Sequence, residues 1–317
     1  VTRKVVVPYL EDATGLKAGK DFYISFAPER TIEGDAMNEL KTLPQVIGGY
    51  SSQCLKKSSD FWATLTSTIV RVGTLEAAEL VKLSNNSFRD LSFSFANELA
   101  LLADKFNVNA FDLINAANEG YPRNKIPLPS PGVGGYCLTK DPILFSCTFD
   151  GPRSDAVLGL SSRKINERAA LYPANIVKKY ADKHELSLSK LNILIMGVAF
   201  KGVPETTDVR GSVAVDLLNE LNKYVDNISA WDAVVKSVDL EKVGFHTEDN
   251  LSRAIQYADI VLILNNHPDN ASSEIYTPPK NNRLIFDGWN QVDRQEIEKI
   301  PGMSYATMGY MTPIIKY

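Results

Sequence analysis

Between residues 191 and 288 short apolar runs alternate with helical stretches, and this alternation limits the possible folds more than any other feature of the chain. Leu191-Asn192-Ile193-Leu194-Ile195-Met196-Gly197 reads as a buried strand ending in glycine. Residues 228–232, 260–264 and 283–287 read as three further strands, with Asp232 at the end of the first. Helices are expected over 213–224, with Ser212 as N-cap, and over 251–257. Strands and helices in alternation imply α/β architecture with a doubly wound parallel sheet. Ligands bind such sheets at the carboxyl ends of the strands. Yet the first turn reads Gly-Val-Ala-Phe-Lys-Gly, and no G-x-G-x-x-G fingerprint stands here or elsewhere. Lys201 and Arg210 lie on that loop, on the ligand side. Side-chain contacts to a diphosphate are one reading of them; surface charge is the other.

The chemistry-bearing stretch lies upstream: Pro131-Gly132-Val133-Gly134-Gly135-Tyr136-Cys137-Leu138-Thr139-Lys140-Asp141-Pro142. Glycines such as Gly132, Gly134 and Gly135 allow positive φ and close approach to a ligand. A helix starting near Cys137 would favour its thiolate through the N-terminal field, and Lys140 would add to that. A thiolate there suits covalent catalysis; packing after a glycine turn is the alternative for a cysteine in this setting.

The rest of the chain supplies a frame for that loop. Residues 1–15 read as a helix, 21–26 and 45–50 as strands, 52–65 as a helix and 69–72 as a strand. Pro28, Glu29 and Glu33 follow the first strand, where either a ligand or solvent would meet them. A long helix is expected from Leu75 to about Lys105, with Leu80, Leu83, Phe88, Leu91, Phe95, Leu99 and Leu102 at helical spacing. Lys82 and Asn86, four apart, share one face; they could steady a developing alkoxide or sit on an exposed rim. A shorter helix over 108–118 and a loop with Tyr121-Pro122-Arg123 lead to the glycine run. Helical segments over 141–180 are expected to break at Asp150-Gly151-Pro152, and 181–189 to link to the last domain.

Composition excludes several classes. The net charge of −4, without a long basic run, argues against nucleic acid as a partner. No apolar run nears the roughly 20 residues that span a bilayer, so no membrane partner is expected. Cys54, Cys137 and Cys147 are few and irregularly spaced, which suits a reducing, cytoplasmic setting. His184, His246 and His267 are scattered, so no metal is expected. The chain opens on valine in what reads as mid-helix, and a fragment is the expectation.

Four motifs in order now point one way: Pro28-Glu29 with Glu33-Gly34; Glu79-Leu-Val-Lys82-Leu-Ser-Asn-Asn86; the loop from Gly132 to Asp141; and Phe200-Lys201 with Asp208-Val-Arg210. Over nearly its whole length the chain resembles the nucleotide-sugar (UDP-sugar) 6-dehydrogenases, the UDP-glucose/GDP-mannose dehydrogenase family. These oxidise the C6 alcohol of a UDP-hexose to a carboxylate with two NAD. The resemblance implies that Cys137 is the nucleophile, passing through a thiohemiacetal and a thioester. It implies that Lys82, with Asn86, stabilises the oxyanion or moves protons. Asp141 would pair with that lysine and help activate water, and Glu29 would help place the hydrolytic water. Arg123, Gly134, Gly135 and Lys201 would contact the sugar nucleotide, with Arg123 reaching the partner subunit's substrate. Glu33, Lys140 and Arg210 would touch NAD. The long central helix implies a homodimer.

By the same resemblance, residues 1–73 would be the tail of an NAD-binding Rossmann domain, 74–183 a central helical dimerisation domain, and 184–317 a UDP-binding domain. Pro-Gly-Val-Gly-Gly-Tyr-Cys is similar to the UDP-N-acetylhexosamine branch, with UDP-N-acetylmannosamine or its gluco epimer as substrate. UDP-glucose is the alternative substrate. A truncated, non-catalytic UDP-sugar-binding dimer is a second reading, and an NAD-independent thiol enzyme acting on acyl groups a third.

Overall fold

A computed structural model describes residues 1–147 and 157–312. The break expected at Asp150-Gly151-Pro152 lies outside the described residues. The chain divides into two compact units, Val1–Phe88 and Arg89–Tyr317.

In the first unit a π-helical turn, Thr2–Val6, leads into α1 (Val7–Thr14). Gly15 stops α1 in a left-handed conformation, φ 73°, and its N–H bonds the Glu11 carbonyl. Then come β1 (Ser25–Phe26), α2 (Ala36–Thr42), β2 (Gln45–Gly49), α3 (Ser52–Trp62) and β3 (Ile69–Thr74). β2 is the middle strand, antiparallel to β1 and parallel to β3. The expected strand over 21–26 shrinks to two residues because Asp21 is spent on a turn. Its carboxylate accepts from the Lys17 N–H at 2.8 Å while its own N–H bonds the Lys17 carbonyl. Ser51 caps α3, accepting from the Cys54 N–H. The long helix α4 (Leu75–Asp104) begins in this unit and ends in the next.

The second unit continues with α5 (Ala110–Asn118), capped by Asn109, then α6 (Tyr136–Cys147), α7 (Val157–Ala170) and α8 (Tyr172–Lys183). The α/β part comprises β4 (Asn192–Met196), α9 (Val213–Leu221), β5 (Asn227–Trp231), α10 (Ser237–Lys242), β6 (His246–Thr247), α11 (Leu251–Tyr257), β7 (Ile260–Ile263), β8 (Arg283–Asp287), α12 (Arg294–Lys299), β9 (Met303–Thr307) and β10 (Tyr310–Met311). The sheet runs β10-β9-β8-β7-β4-β5-β6, parallel throughout except for the β9–β10 hairpin. The sheet is doubly wound, and its order reverses between β4 and β7. In open α/β sheets, ligands bind at the carboxyl ends of the strands beside such a switch point.

The four expected strands are present because β4, β7 and β8 are almost wholly buried and so read as apolar runs. Ser212 caps α9 as expected, accepting from the Ala214 N–H at 3.2 Å. That helix ends at Leu221 rather than 224, closed by a turn in which the Tyr224 N–H bonds the Leu221 carbonyl. One apolar core joins Ala100 and Ala103 of α4, Phe111 of α5 and Ile176 and Tyr180 of α8 to one face of the sheet. A second, with Leu194, Val261, Ile285 and Tyr305, fills the other face.

Candidate active site

The glycine–cysteine loop delivers the chain to the N-terminus of α6, and the backbone explains its composition. Gly134 lies against the loop that follows β4: a Cβ there would stand 2.6 Å from the Gly211 carbonyl oxygen. Gly135 has φ 88°, its N–H donates to that same oxygen at 3.1 Å, and a Cβ on it would meet the Phe200 ring at 2.9 Å. Gly132, at φ 84°, would put a Cβ 2.7 Å from Ala170. These glycines therefore let two loops meet main chain to main chain. The same contact places residues 200–211, from the sheet's switch point, beside the start of α6.

Cys137 is the second residue of α6 and is exposed. Tyr136, just before it, is also exposed and has two cations near its ring. Lys140 Nζ is 5.3 Å and Arg210 Cζ 5.8 Å from its ring centroid. Lys140 donates to the buried Asp141 carboxylate at 2.5 Å. Partial burial lowers the affinity of Lys140 for its proton, but Asp141, Cys137 and Tyr136 outweigh it and raise the pKa. The Arg210 side chain donates to the Asp208 carboxylate from Nε at 2.9 and 3.0 Å and from Nη2 at 2.6 Å. That hydrogen bonding holds the Asp208 carboxyl below its usual range, against the opposing effect of burial. Lys201 Nζ lies 5.5 Å from the Phe200 ring centroid. Thus Gly134, Gly135, Cys137, Lys140, Asp141, Lys201 and Arg210 all lie on the two apposed loops or the first turns of α6.

Arg123 is exposed in the α5–α6 connection, its guanidinium 5.5 Å from the Tyr121 ring centroid. Asn118 braces that connection by exchanging hydrogen bonds of 2.8 Å with the main chain of Ile126.

In the first unit Lys82 Nζ donates to the Glu29 carbonyl oxygen at 2.6 Å and lies 3.8 Å from its carboxylate. The Glu29 carboxylate also accepts from the Thr31 N–H. Asn86, one turn after Lys82 on α4, is buried, and Glu33 is exposed. A cleft lined by Pro28, Glu29, Arg30, Glu39, Leu43 and Trp62 opens beside this pair.

Sequence reasoning passed over several residues that shape the second unit's loops. Asp232 Oδ2 accepts from the N–H groups of Val198 and Ala199 at 2.7 and 2.9 Å. Asn265 donates to the Ala199 carbonyl, and Asn266 accepts from the Gly202 N–H at 2.8 Å. Asp232 at a strand's carboxyl end was a visible signal for such a role; nothing in the local pattern marked the asparagines.

Residues 76–168 match the central-domain model of the UDP-glucose/GDP-mannose dehydrogenase family, and residues 194–294 match that family's UDP binding domain. The chain is 32% identical over 291 residues to UDP-N-acetyl-D-mannosamine dehydrogenase of Pyrococcus horikoshii, covering 91% of this chain and 66% of that protein. The solved structure of UDP-D-ManNAc dehydrogenase from the same organism superposes with a TM-score of 0.85 at 30% identity, over 97% of this chain and 70% of that one. UDP-N-acetyl-mannosamine dehydrogenase Cap5O from Staphylococcus aureus superposes with a TM-score of 0.78 at 28% identity, over 99% and 70%. The chain spans 66% and 64% of the length of the Pyrococcus horikoshii and Methanocaldococcus jannaschii curated relatives, somewhat less than two thirds.

Proposed function

The chain belongs to the UDP-glucose/GDP-mannose dehydrogenase family, and on that premise we propose that it serves the NAD-dependent oxidation of a UDP-N-acetylhexosamine, UDP-N-acetyl-D-mannosamine or its gluco epimer, at C6. The observation that carries this reading is the exposed Cys137 thiol in the first turn of α6, with Lys140 one turn on and the sheet's switch-point loop alongside.

NAD supplies the hydride acceptor in both oxidations. The exposed Tyr136 ring with Lys140 and Arg210 near it suits a flat, anionic dinucleotide, and these two cations with Glu33 are the residues assigned to it. Once the C6 alcohol is an aldehyde, the Cys137 sulfur adds to it and the carbonyl oxygen becomes an alkoxide. Lys82, with Asn86, is assigned to that oxygen, as electrostatic stabilisation at a developing charge is commonly the largest catalytic contribution. Loss of the second hydride leaves a thioester on Cys137. Water placed by Glu29 and Asp141 then cleaves it to the carboxylate and returns the thiol. Lys201, Gly134, Gly135 and Arg123 are assigned to the sugar nucleotide, Arg123 to that of the partner subunit.

The partner is a second copy of the chain. Phe88, Phe95 and Leu102 recur every seventh residue along α4 and are 70%, 56% and 50% exposed, an apolar stripe suited to pairing with itself. A free thiol nucleophile further suits a reducing cytoplasm. Among the described residues no helix is long and apolar enough to cross a membrane.

Calorimetric titration of the chain with UDP, and separately with NAD, tests the binding assignments. UDP binding lost in Lys201→Ala supports them; no UDP binding removes the sugar-nucleotide assignment. A panel of UDP-sugars offered in a turnover assay tests the substrate, and oxidation of UDP-glucose alone would overturn the N-acetylhexosamine assignment.

A further inference from the structure

Behind the glycine–cysteine loop, the second unit buries a continuous polar network that the catalytic assignment does not use. Asp90 on α4 is fully buried. Its carboxylate accepts from Arg163 Nη1 at 2.7 Å, Asn166 Nδ2 at 2.8 Å and Ser162 Oγ at 2.6 Å, all on α7. Asn166 Oδ1 in turn accepts from Asn97 Nδ2 at 2.9 Å, one turn of α7 facing two turns of α4. The network then reaches the loop at two points. Asn97 Oδ1 accepts from the Ser130 N–H at 2.8 Å, and Arg163 Nη1 donates to the Val133 carbonyl at 3.3 Å. Ser130 Oγ closes the entry by donating to the Gly132 carbonyl at 2.6 Å. α7 also supports α6 itself: Gly159 packs so tightly on the Pro142 carbonyl that a Cβ would stand 2.3 Å from it.

We infer that Asn97 and Arg163 are positioning residues for Cys137. They hold the main chain of Ser130 and Val133 against α4 and α7, and so fix where the loop delivers the thiol. A packed helix pair needs neither contact, since apolar groups of similar shape would fill the space at equal or lower cost in free energy. What apolar groups cannot do is hold one loop register, whereas these hydrogen bonds give the Ser130 N–H and the Val133 carbonyl one partner each. The loop's glycines give its backbone wide freedom in the absence of such partners. This inference rests on reading Cys137 as the nucleophile, but its test does not require turnover.

The experiment compares the chain with Asn97→Ala and, should that variant fail to fold, with Arg163→Lys, which keeps a charge opposite Asp90 but not the planar fork. Two quantities are read at a temperature where every variant is folded: iodoacetamide alkylation of Cys137, followed by mass spectrometry of its peptide, and amide exchange over residues 130–137. A control, Ile297→Ala on α12, opens a cavity in the core on the sheet's other face. Asn97→Ala is expected to speed loop exchange about tenfold or more and to change Cys137 alkylation about fivefold or more, with both unchanged in the control. Alkylation and exchange within twofold of the parent chain, or shifted equally by the control, would overturn the inference. If Cys137 proves dispensable for oxidation, the nucleophile assignment falls while the alkylation result stands. If oxidation needs Cys137 and alkylation ignores Asn97, the positioning role alone falls.

Discussion

Lys82 and Glu29, 53 positions apart in sequence, are joined by a 2.6 Å hydrogen bond from the lysine ammonium to the glutamate's main-chain carbonyl. The bond goes to backbone, so it survives loss of the glutamate side chain, whose carboxylate is 3.8 Å away. The two residues should therefore respond differently. Lys82→Met should reduce turnover by about 10²–10³-fold, the usual loss for a donor at a developing oxyanion. Glu29→Gln should keep the Lys82 contact and slow thioester hydrolysis, so that acylated Cys137 accumulates. Rapid-quench mass spectrometry of the Cys137 peptide distinguishes the two; equal effects without accumulation would count against separate roles.

The loop seam gives a prediction about stability. Gly134→Ala puts a methyl group 2.6 Å from the Gly211 carbonyl, backbone that cannot swing aside. It should cost about 1–3 kcal/mol, as overpacking does, and weaken UDP binding with it. Gly73→Ala, whose Cβ would meet nothing within 4 Å, is strained only by its φ of 81° and should leave UDP binding untouched. Thermal melts with calorimetry read both.

The Asp90–Arg163 ion pair predicts an asymmetry. Arg163→Met leaves a fully buried carboxylate without its cation and should cost about 3–5 kcal/mol. The double variant Asp90→Leu/Arg163→Met removes both charges and should recover much of that loss. A double variant as unstable as the single would show that packing, not the uncompensated charge, sets the cost.

Burial pushes the Asp287 carboxyl up to about 6 from an ordinary 3.8, even though main-chain amides including those of Val292 and Trp289 bond it. The folded value is the higher one. The proton therefore stabilises the fold below about 4, and that contribution fades as pH rises through 6. The difference is on the order of 3 kcal/mol between the two limits. His184, lowered by burial, acts in the opposite sense below its unfolded value. Comparing the chain with Asp287→Asn isolates the carboxyl: the variant should lack the stabilisation on acidification from pH 7 to 5. Parallel stability curves for the two would rule it out.

Phe95→Glu on the α4 stripe should convert a dimer to monomer in sedimentation velocity, since a desolvated charge in such a stripe is costly. A chain already monomeric, or a variant still dimeric, would remove α4 as the interface.

The sheet was legible because buried parallel strands leave unbroken apolar runs, as in Ile260-Val261-Leu262-Ile263. β9 was not, because its Ser304 and Thr307 are buried as deeply as its apolar residues; Thr307 donates to the Asp287 carbonyl at 2.5 Å. The short helices α2, α10 and α12 carry too few turns to show a period. At the site, glycine density marked the loop, but not that its glycines serve Gly211, Phe200 and Ala170. Asp90 and Arg163 looked like ordinary helix charges. Their pairing spans 73 residues, and no local pattern carries it.

Where Gly134 and Gly135 meet Gly211, neither strand of the seam has a side chain to exchange. Natural variation or directed evolution therefore has no purchase along it. Any retuning along the seam must act at its two ends, on Tyr136 and Arg210, the side chains read above as meeting the dinucleotide, so these are the positions to randomise first when a different cofactor preference is wanted.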